Sequence, residues 1–210
     1  MDRRMPANQP DNAPQRQALT ARSTAMLAAV LVAAVVLGLA ALRIATSSQA
    51  ARPSLIGGAF ALQDGDGKTV SDESLRGRPF LVYFGYTHCP DVCPTELARI
   101  SDILSRMGDK SIPALFITVD PERDTPKAMQ DYVSSFNPHI IGLSGAPQAV
   151  GAAEKAFRVF ARKGPVQADR DYSMDHSSVV YLMDKNGAFV EAFNVERSPD
   201  EAAEELEKYL

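Results

Sequence analysis

The residues best equipped for chemistry in this 210-residue chain are its only two cysteines, Cys89 and Cys93, in the stretch Tyr86-Thr-His-Cys-Pro-Asp-Val-Cys-Pro-Thr-Glu-Leu97. The spacing C-x-x-x-C is one residue wider than that of dedicated disulfide exchangers. Two sulfurs so spaced can meet across a turn as a disulfide, and can equally hold one metal ion. Two cysteines are too few for a disulfide-rich scaffold or for a four-cysteine zinc or iron–sulfur site. Single free cysteines are commonly just buried apolar residues. A pair at a loop leading into a helix argues instead for redox or metal use, more so in an oxidising compartment, where an unliganded pair would close. Cys93 is expected at the N-cap, just before Pro94, where the helix dipole lowers a thiol pKa and favours the reactive thiolate.

The elements that position this pair follow from periodicity. Residues 44–58 are small and polar, with Pro53, Gly57 and Gly58, and read as linker. Phe60 to Val70 reads as a hairpin around Asp-Gly turns. Asp64-Gly-Asp66-Gly fails as a calcium loop, because Lys68 and Leu75 stand where ligands are required. Pro79–Tyr86 and Ala114–Val119 are short apolar runs and predict buried strands, with His139–Leu143 a third. Pro94–Met107 carries Leu97, Ile100, Ile103 and Leu104 at helical spacing. Further helices are expected from Thr125 to about Phe136, from Pro147 to Arg162 with Phe157 and Phe160 on one face, and from a Ser198 cap to Leu210. Val179–Met183 and Ala188–Phe193 predict a closing hairpin.

Strands alternating with helices imply an α/β sandwich with a mixed central sheet. The order matches a thioredoxin-like fold with an extra N-terminal β-hairpin and a middle insertion. In that arrangement the loop before the closing hairpin, Asp171-Tyr-Ser-Met-Asp-His-Ser-Ser178, lies beside the cysteine loop. His176 then comes within reach of both sulfurs. Two thiolates and one imidazole form a soft three-coordinate site that suits Cu(I) and can accept Cu(II). A structural zinc would want a fourth protein ligand. His88 precedes Cys89 directly and is expected to point away from a shared ion, and His139 reads as a structural histidine at a strand. Asp91 and Asp175 flank the ligands and could orient the imidazole or attract a cation, or could be solvated loop carboxylates. Met174 reads as packing rather than as a thioether ligand.

Three of these blocks resemble the Sco/SenC family, membrane-anchored assembly factors for the copper centre of cytochrome c oxidase: YFGYTHCPDVCPTEL (83–97), FITVDPERDTP (116–126) and YSMDHSSVVYLMDKNG (172–187). A single N-terminal apolar span adds a fourth match. The resemblance covers about residues 53–210. It implies that Cys89, Cys93 and His176 bind one copper ion, and that the chain is a metallochaperone rather than an enzyme. Its acceptor would be the copper-site subunit of the oxidase, with another copper carrier or a thiol reductant as further partners. Tyr86 stands where the family more often has Phe. Asp120 and Asp124 are expected to fix the loop after the second strand. Some family members look like thiol–disulfide reductases acting on the oxidase cysteines, and Cys89 and Cys93 would serve that role as a redox pair. A redox or copper sensor would use the same ligands, and a peroxidase would leave the histidine block unexplained.

Charge is uneven. Residues 1–52 carry six Arg and two Asp, whereas the remainder has eight more acidic than basic side chains. So acidic a part is a poor partner for a phosphate backbone, and no nucleic-acid role is expected. Ser23–Leu42 is an uncharged 20-residue run bracketed by Arg22 and Arg43, and as a helix it would rise about 30 Å, one hydrocarbon core. Four Arg precede it and only Arg43 and Arg52 follow within 22 residues, a modest bias that points the N-terminus into the cytoplasm. The expected organisation is a cytoplasmic tail (1–22), a transmembrane anchor (23–42), a linker (43–58) and a thioredoxin-like copper-binding domain (59–210), anchored in a bacterial plasma membrane and facing the periplasm. A cleaved signal ending near Ser48-Gln-Ala50 is the alternative, though the apolar run exceeds a normal signal core. Asp2, Asp11 and the lack of amphipathic pattern argue against a mitochondrial transit peptide.

Overall fold

The computed structural model describes residues 34–36, 38, 55–168 and 171–210. The tail expected at 1–22, most of the linker expected at 43–58, and all but four helical residues of the anchor expected at 23–42 lie outside the described residues. Among the described residues no helix is long and apolar enough to cross a membrane. The fold is that of the unit Pro53–Leu210.

The chain enters through a hairpin of β1 (Ala61–Gln63) and β2 (Thr69–Ser71), with Leu62 opposite Val70. The Asp64 carboxylate closes its turn by accepting the backbone N–H groups of Asp66 and Lys68. Then follow β3 (Phe80–Gly85), α1 (Val92–Met107), β4 (Ala114–Thr118), α2 (Pro126–Val133), β5 (Ile140–Leu143) and α3 (Pro147–Phe157). A second small hairpin, β6 (Ala161–Lys163) and β7 (Met174–His176), precedes β8 (Val180–Met183), β9 (Phe189–Ala192) and α4 (Pro199–Glu207).

The central sheet has the order β5-β4-β3-β8-β9. β3, β4 and β5 are parallel, while β8 runs antiparallel to β3 and β9 antiparallel to β8. Every residue of β3 and β4 is buried, the mark of strands covered on both faces. This accounts for their unbroken apolar runs. α1 buries Leu97, Ile100, Ile103, Leu104 and Met107 and packs beside α4, whose Ala202 and Ala203 let the two helices approach. Thr125 and Ser198 cap α2 and α4 by accepting the N–H groups of Ala128 and Glu201, each with proline at the first helical position.

Four expectations need correcting. α1 starts at Val92, with Asp91 as N-cap, so Cys93 lies inside the first turn rather than at the cap. Pro94 is tolerated there because first-turn N–H groups have no helical acceptor. α2 stops at Val133, short of Phe136. α3 ends at Phe157, not Arg162, because Arg158 turns into the left-handed region at φ 55° and the chain leaves to form β6. Phe160 consequently sits 57% exposed instead of on a helix face. Finally, His176 is the last residue of a strand, β7, rather than part of a loop.

Candidate metal centre

Cys89 lies in the turn between β3 and α1, where its backbone N–H donates to the Tyr86 carbonyl at 3.3 Å. Its Sγ accepts the Cys93 backbone N–H at 3.3 Å, one of the helix-start donors that would otherwise lack a partner. The wider C-x-x-x-C spacing thus places the first sulfur over the end of α1. Cys93 follows in the first turn and is 0% exposed, whereas Cys89 is half-buried. Both are free thiols.

His176 arrives from 83 residues away. Its Nε2 lies 3.6 Å from Cys93 Sγ, and the two sulfurs and one imidazole nitrogen all fall within 4.8 Å of one another. The ring's Nδ1 is 3.1 Å from the Ser177 carbonyl. A carbonyl can only accept, so Nδ1 carries the proton and the Nε2 lone pair faces the sulfurs. The Tyr86 ring stands edge-to-face against the imidazole, with centroids 5.8 Å apart and planes at 89°.

Two features behind the sulfurs hold them in place. Gly85 ends β3 directly beneath Cys93. A Cβ there would lie 2.8 Å from Cys93 Sγ and 2.6 Å from the Phe116 ring, so only glycine lets the thiol sit so close to the sheet. The Asp124 carboxylate, fully buried after β4, accepts the Thr118 hydroxyl at 2.8 Å, the Thr87 N–H at 3.1 Å and the Thr87 hydroxyl. It therefore ties the cysteine loop to the sheet.

Burial pushes the Cys93 thiol up to about 12, helped by its hydrogen bond with the Cys89 sulfur. This reverses the expected lowering by the helix N-terminus, since loss of water outweighs the dipole. The Tyr83 phenol, buried beside Cys93, is raised for the same reason.

The other flanking residues stay out of the cluster. His88 is exposed and directs Nδ1 to the Thr87 hydroxyl at 3.0 Å. His139 is also exposed, one residue before β5. Asp175 pairs with Arg162 across the β6–β7 hairpin at 2.9 Å, so the backbone of Ser177, not a carboxylate, orients the imidazole. The Asp91 side chain makes no cap bond, and Met174 packs half-buried against the core.

The SCO1/SenC family model matches residues 48–210. The chain belongs to the SCO1/SenC family. Its relatives include the mitochondrial SCO2 homolog of Danio rerio, 40% identical over 157 residues, which are 73% of this chain and 56% of that protein. The match thus spans little more than half the length of that curated relative. Among solved SCO1/SenC structures, copper-bound ScoI of Bradyrhizobium japonicum is 54% identical with a TM-score of 0.71, covering 74% of this chain and 99% of that one. Copper-bound yeast Sco1 is 37% identical with a TM-score of 0.66, covering 74% and 90%. These likenesses make the α/β fold of this SCO1/SenC chain thioredoxin-like, with the β1–β2 and β6–β7 hairpins standing as two-stranded sheets apart from the central one.

Sequence reasoning missed Gly85 beneath the thiol, and also the packing of the Arg123 guanidinium on the Tyr172 ring, 3.6 Å from its centre. The first had a signal, a glycine closing a fully apolar strand eight residues before a cysteine. The second had none, because the two residues lie 49 positions apart in separate matching blocks.

Proposed function

We propose that this chain carries copper for the assembly of cytochrome c oxidase. It holds one ion between Cys89, Cys93 and His176 and passes it to the copper-site subunit of the oxidase. The observation that carries the reading is the convergence of two free thiols and a correctly oriented Nε2 within 4.8 Å. Thiolates with one imidazole are a soft donor set that selects copper over harder cations. The likeness to copper-bound ScoI, at 54% identity, supports the choice of metal.

The geometry suggests an order of exchange. Cys89 and His176 are half-buried, and Cys93 is sealed behind them. An incoming acceptor ligand reaches the ion from the Cys89 and His176 side, so these release first and Cys93 last. Uptake runs the other way and discharges the Cys93 proton, because the metal-free thiol is protonated at neutral pH. The run at 23–42 would tether the domain to a bacterial plasma membrane, with the site in the periplasm, where it would meet its copper donor and a thiol reductant.

The test is copper analysis of the purified chain under reducing conditions, followed by an optical spectrum of the Cu(II) form. One copper per chain is expected, with a thiolate-to-copper band lost in Cys89→Ser, Cys93→Ser and His176→Ala. Full copper affinity in either serine variant overturns the site. A second reading, thiol–disulfide reduction, is favoured by the half-exposed Cys89, which would have to be the attacking sulfur since Cys93 is enclosed. His176→Ala separates the two: copper delivery collapses under the first reading, while disulfide exchange survives under the second.

A further inference from the structure

The structure assigns Arg123 the task of positioning His176, and through it of setting which copper oxidation state the site favours; this rests on the copper-carrier reading above. Arg123 lies in the loop after β4 with its side chain 18% exposed. Its Nε donates to the buried Asp120 carboxylate, and its Nη1 donates to Asp171 at 2.8 Å. The guanidinium carbon sits 3.6 Å from the centre of the Tyr172 ring and 5.8 Å from that of Tyr86. The Tyr172 hydroxyl returns to Asp120 at 2.8 Å.

These contacts grip the third ligand from both sides. Asp171 and Tyr172 lead directly into β7, whose last residue is His176. Tyr86, on the other side of the guanidinium, is the ring standing against the imidazole. A second cation reinforces the hold: Lys163, on the paired strand β6, lies 4.0 Å from the Tyr172 ring centre and bonds Glu122 at 2.6 Å. The β6–β7 hairpin forms its own two-stranded sheet, separate from the central one. Its place over the sulfurs thus rests on side-chain contacts, a bond between the Tyr86 hydroxyl and the Met174 backbone among them, rather than on a continuous backbone ladder.

The cysteines are held chiefly by α1, Gly85 and Asp124, whereas the Arg123 side chain reaches Asp120, Asp171 and the rings of Tyr172 and Tyr86. Loosening Arg123 therefore frees the imidazole and leaves the sulfur pair in place. Cu(I) is satisfied by two thiolates, whereas Cu(II) needs the harder nitrogen as well. Arg123 acts on the ion only through His176, so its signature is a change in the ratio of the two affinities.

The experiment compares Arg123→Gln and Arg123→Lys with the unaltered full chain, titrating Cu(I) against a competing chelator and Cu(II) by its thiolate charge-transfer band. Arg123→Gln is expected to lose Cu(II) affinity by roughly 10–100-fold, the usual range when a ligand's outer support is removed, with a displaced band and nearly unchanged Cu(I) affinity. Arg123→Lys keeps the charge but not the planar fork and should fall between. Equal losses for both ions, as from a general loss of fold, overturn the assignment, as does no loss for either. A metal-free readout separates this from the copper reading: the cross-relaxation between Tyr86 and His176 ring protons should vanish in Arg123→Gln. If the unaltered chain takes up no copper, the carrier reading fails, while this signal still decides whether Arg123 positions the imidazole.

Discussion

Replacing Gly85 with alanine tests whether the thiol pocket is built to tolerance. The added Cβ would sit 2.8 Å from Cys93 Sγ and 2.6 Å from the Phe116 ring, where ordinary contact begins at 3.4 Å. The sulfur must retreat by about 0.6 Å and the ring by about 0.8 Å to reach that contact. Phe116 has little freedom to move, being fully buried and stacked between Tyr83 and Tyr132 at 5.7 and 5.8 Å. Cys93 therefore takes most of the displacement. Metal–ligand distances tolerate only about 0.2 Å, so a 0.6 Å shift is some threefold too large for the site. Urea unfolding of the metal-free variant should show a loss of about 1–3 kcal/mol, typical of overpacking. Copper competition should show affinity down by roughly 10–100-fold. Lowered stability with full copper affinity would refute the reasoning, because the ring and not the sulfur would then have given way.

Two further outcomes are expected. Asp124→Ala strands the buried Thr118 hydroxyl and the Thr87 donors, and should cost about 3 kcal/mol or more in chemical unfolding, with copper affinity falling as the cysteine loop loosens. The pH dependence follows from the thiol pushed up to about 12 from its ordinary 9.0. Below pH 9 Cys93 is protonated in both folded and unfolded chains, so its full contribution to stability is present; it is lost progressively between 9 and about 12, where only the unfolded thiol ionises. Because binding must displace that proton, apparent copper affinity should rise with pH by up to about tenfold per unit for each thiol proton released. A calorimetric titration in buffers of different ionisation enthalpy counts those protons, and a count of zero would contradict the protonated resting state.

The central strands were legible because both faces of β3 and β4 are covered, which leaves continuous apolar runs in Phe80–Gly85 and Ala114–Thr118. α1 was legible from its 3.6-residue spacing. The β6–β7 hairpin was not: Ala-Arg-Lys and Met-Asp-His are three residues each, half exposed and without alternation, so nothing in their composition separates strand from loop. The extended reading of α3 to Arg162 followed from the same blindness, since Phe160 falls at helical spacing but points to solvent. In the site, the residue types at 89, 93 and 176 announced soft-ligand chemistry, and the fold expected from element order brought the two blocks together. The packing beside the imidazole was not legible, because the contacts of Arg123 with Asp171 and Tyr172 join residues 48 and 49 positions apart and exist only once the chain is folded.

The thiol shows most clearly why spacing alone misjudges chemistry. A helix N-terminus favours an anion by roughly 0.3–1 kcal/mol, which moves a pKa by less than about one. Burial moves Cys93 from 9.0 to about 12 in the opposite sense. The first effect is readable from a cysteine placed near the start of a helix, whereas the second requires knowing that Gly85, Phe116 and Tyr83 crowd around the sulfur. The larger effect wins, and it changes what the pair is suited to do. A buried, protonated sulfur is a poor attacking nucleophile, yet it becomes a good ligand once a soft cation replaces its proton. Under the proposed carrier role, the enclosure that weakens Cys93 as an exchanger would suit it as the innermost ligand, with half-buried Cys89 the more accessible sulfur.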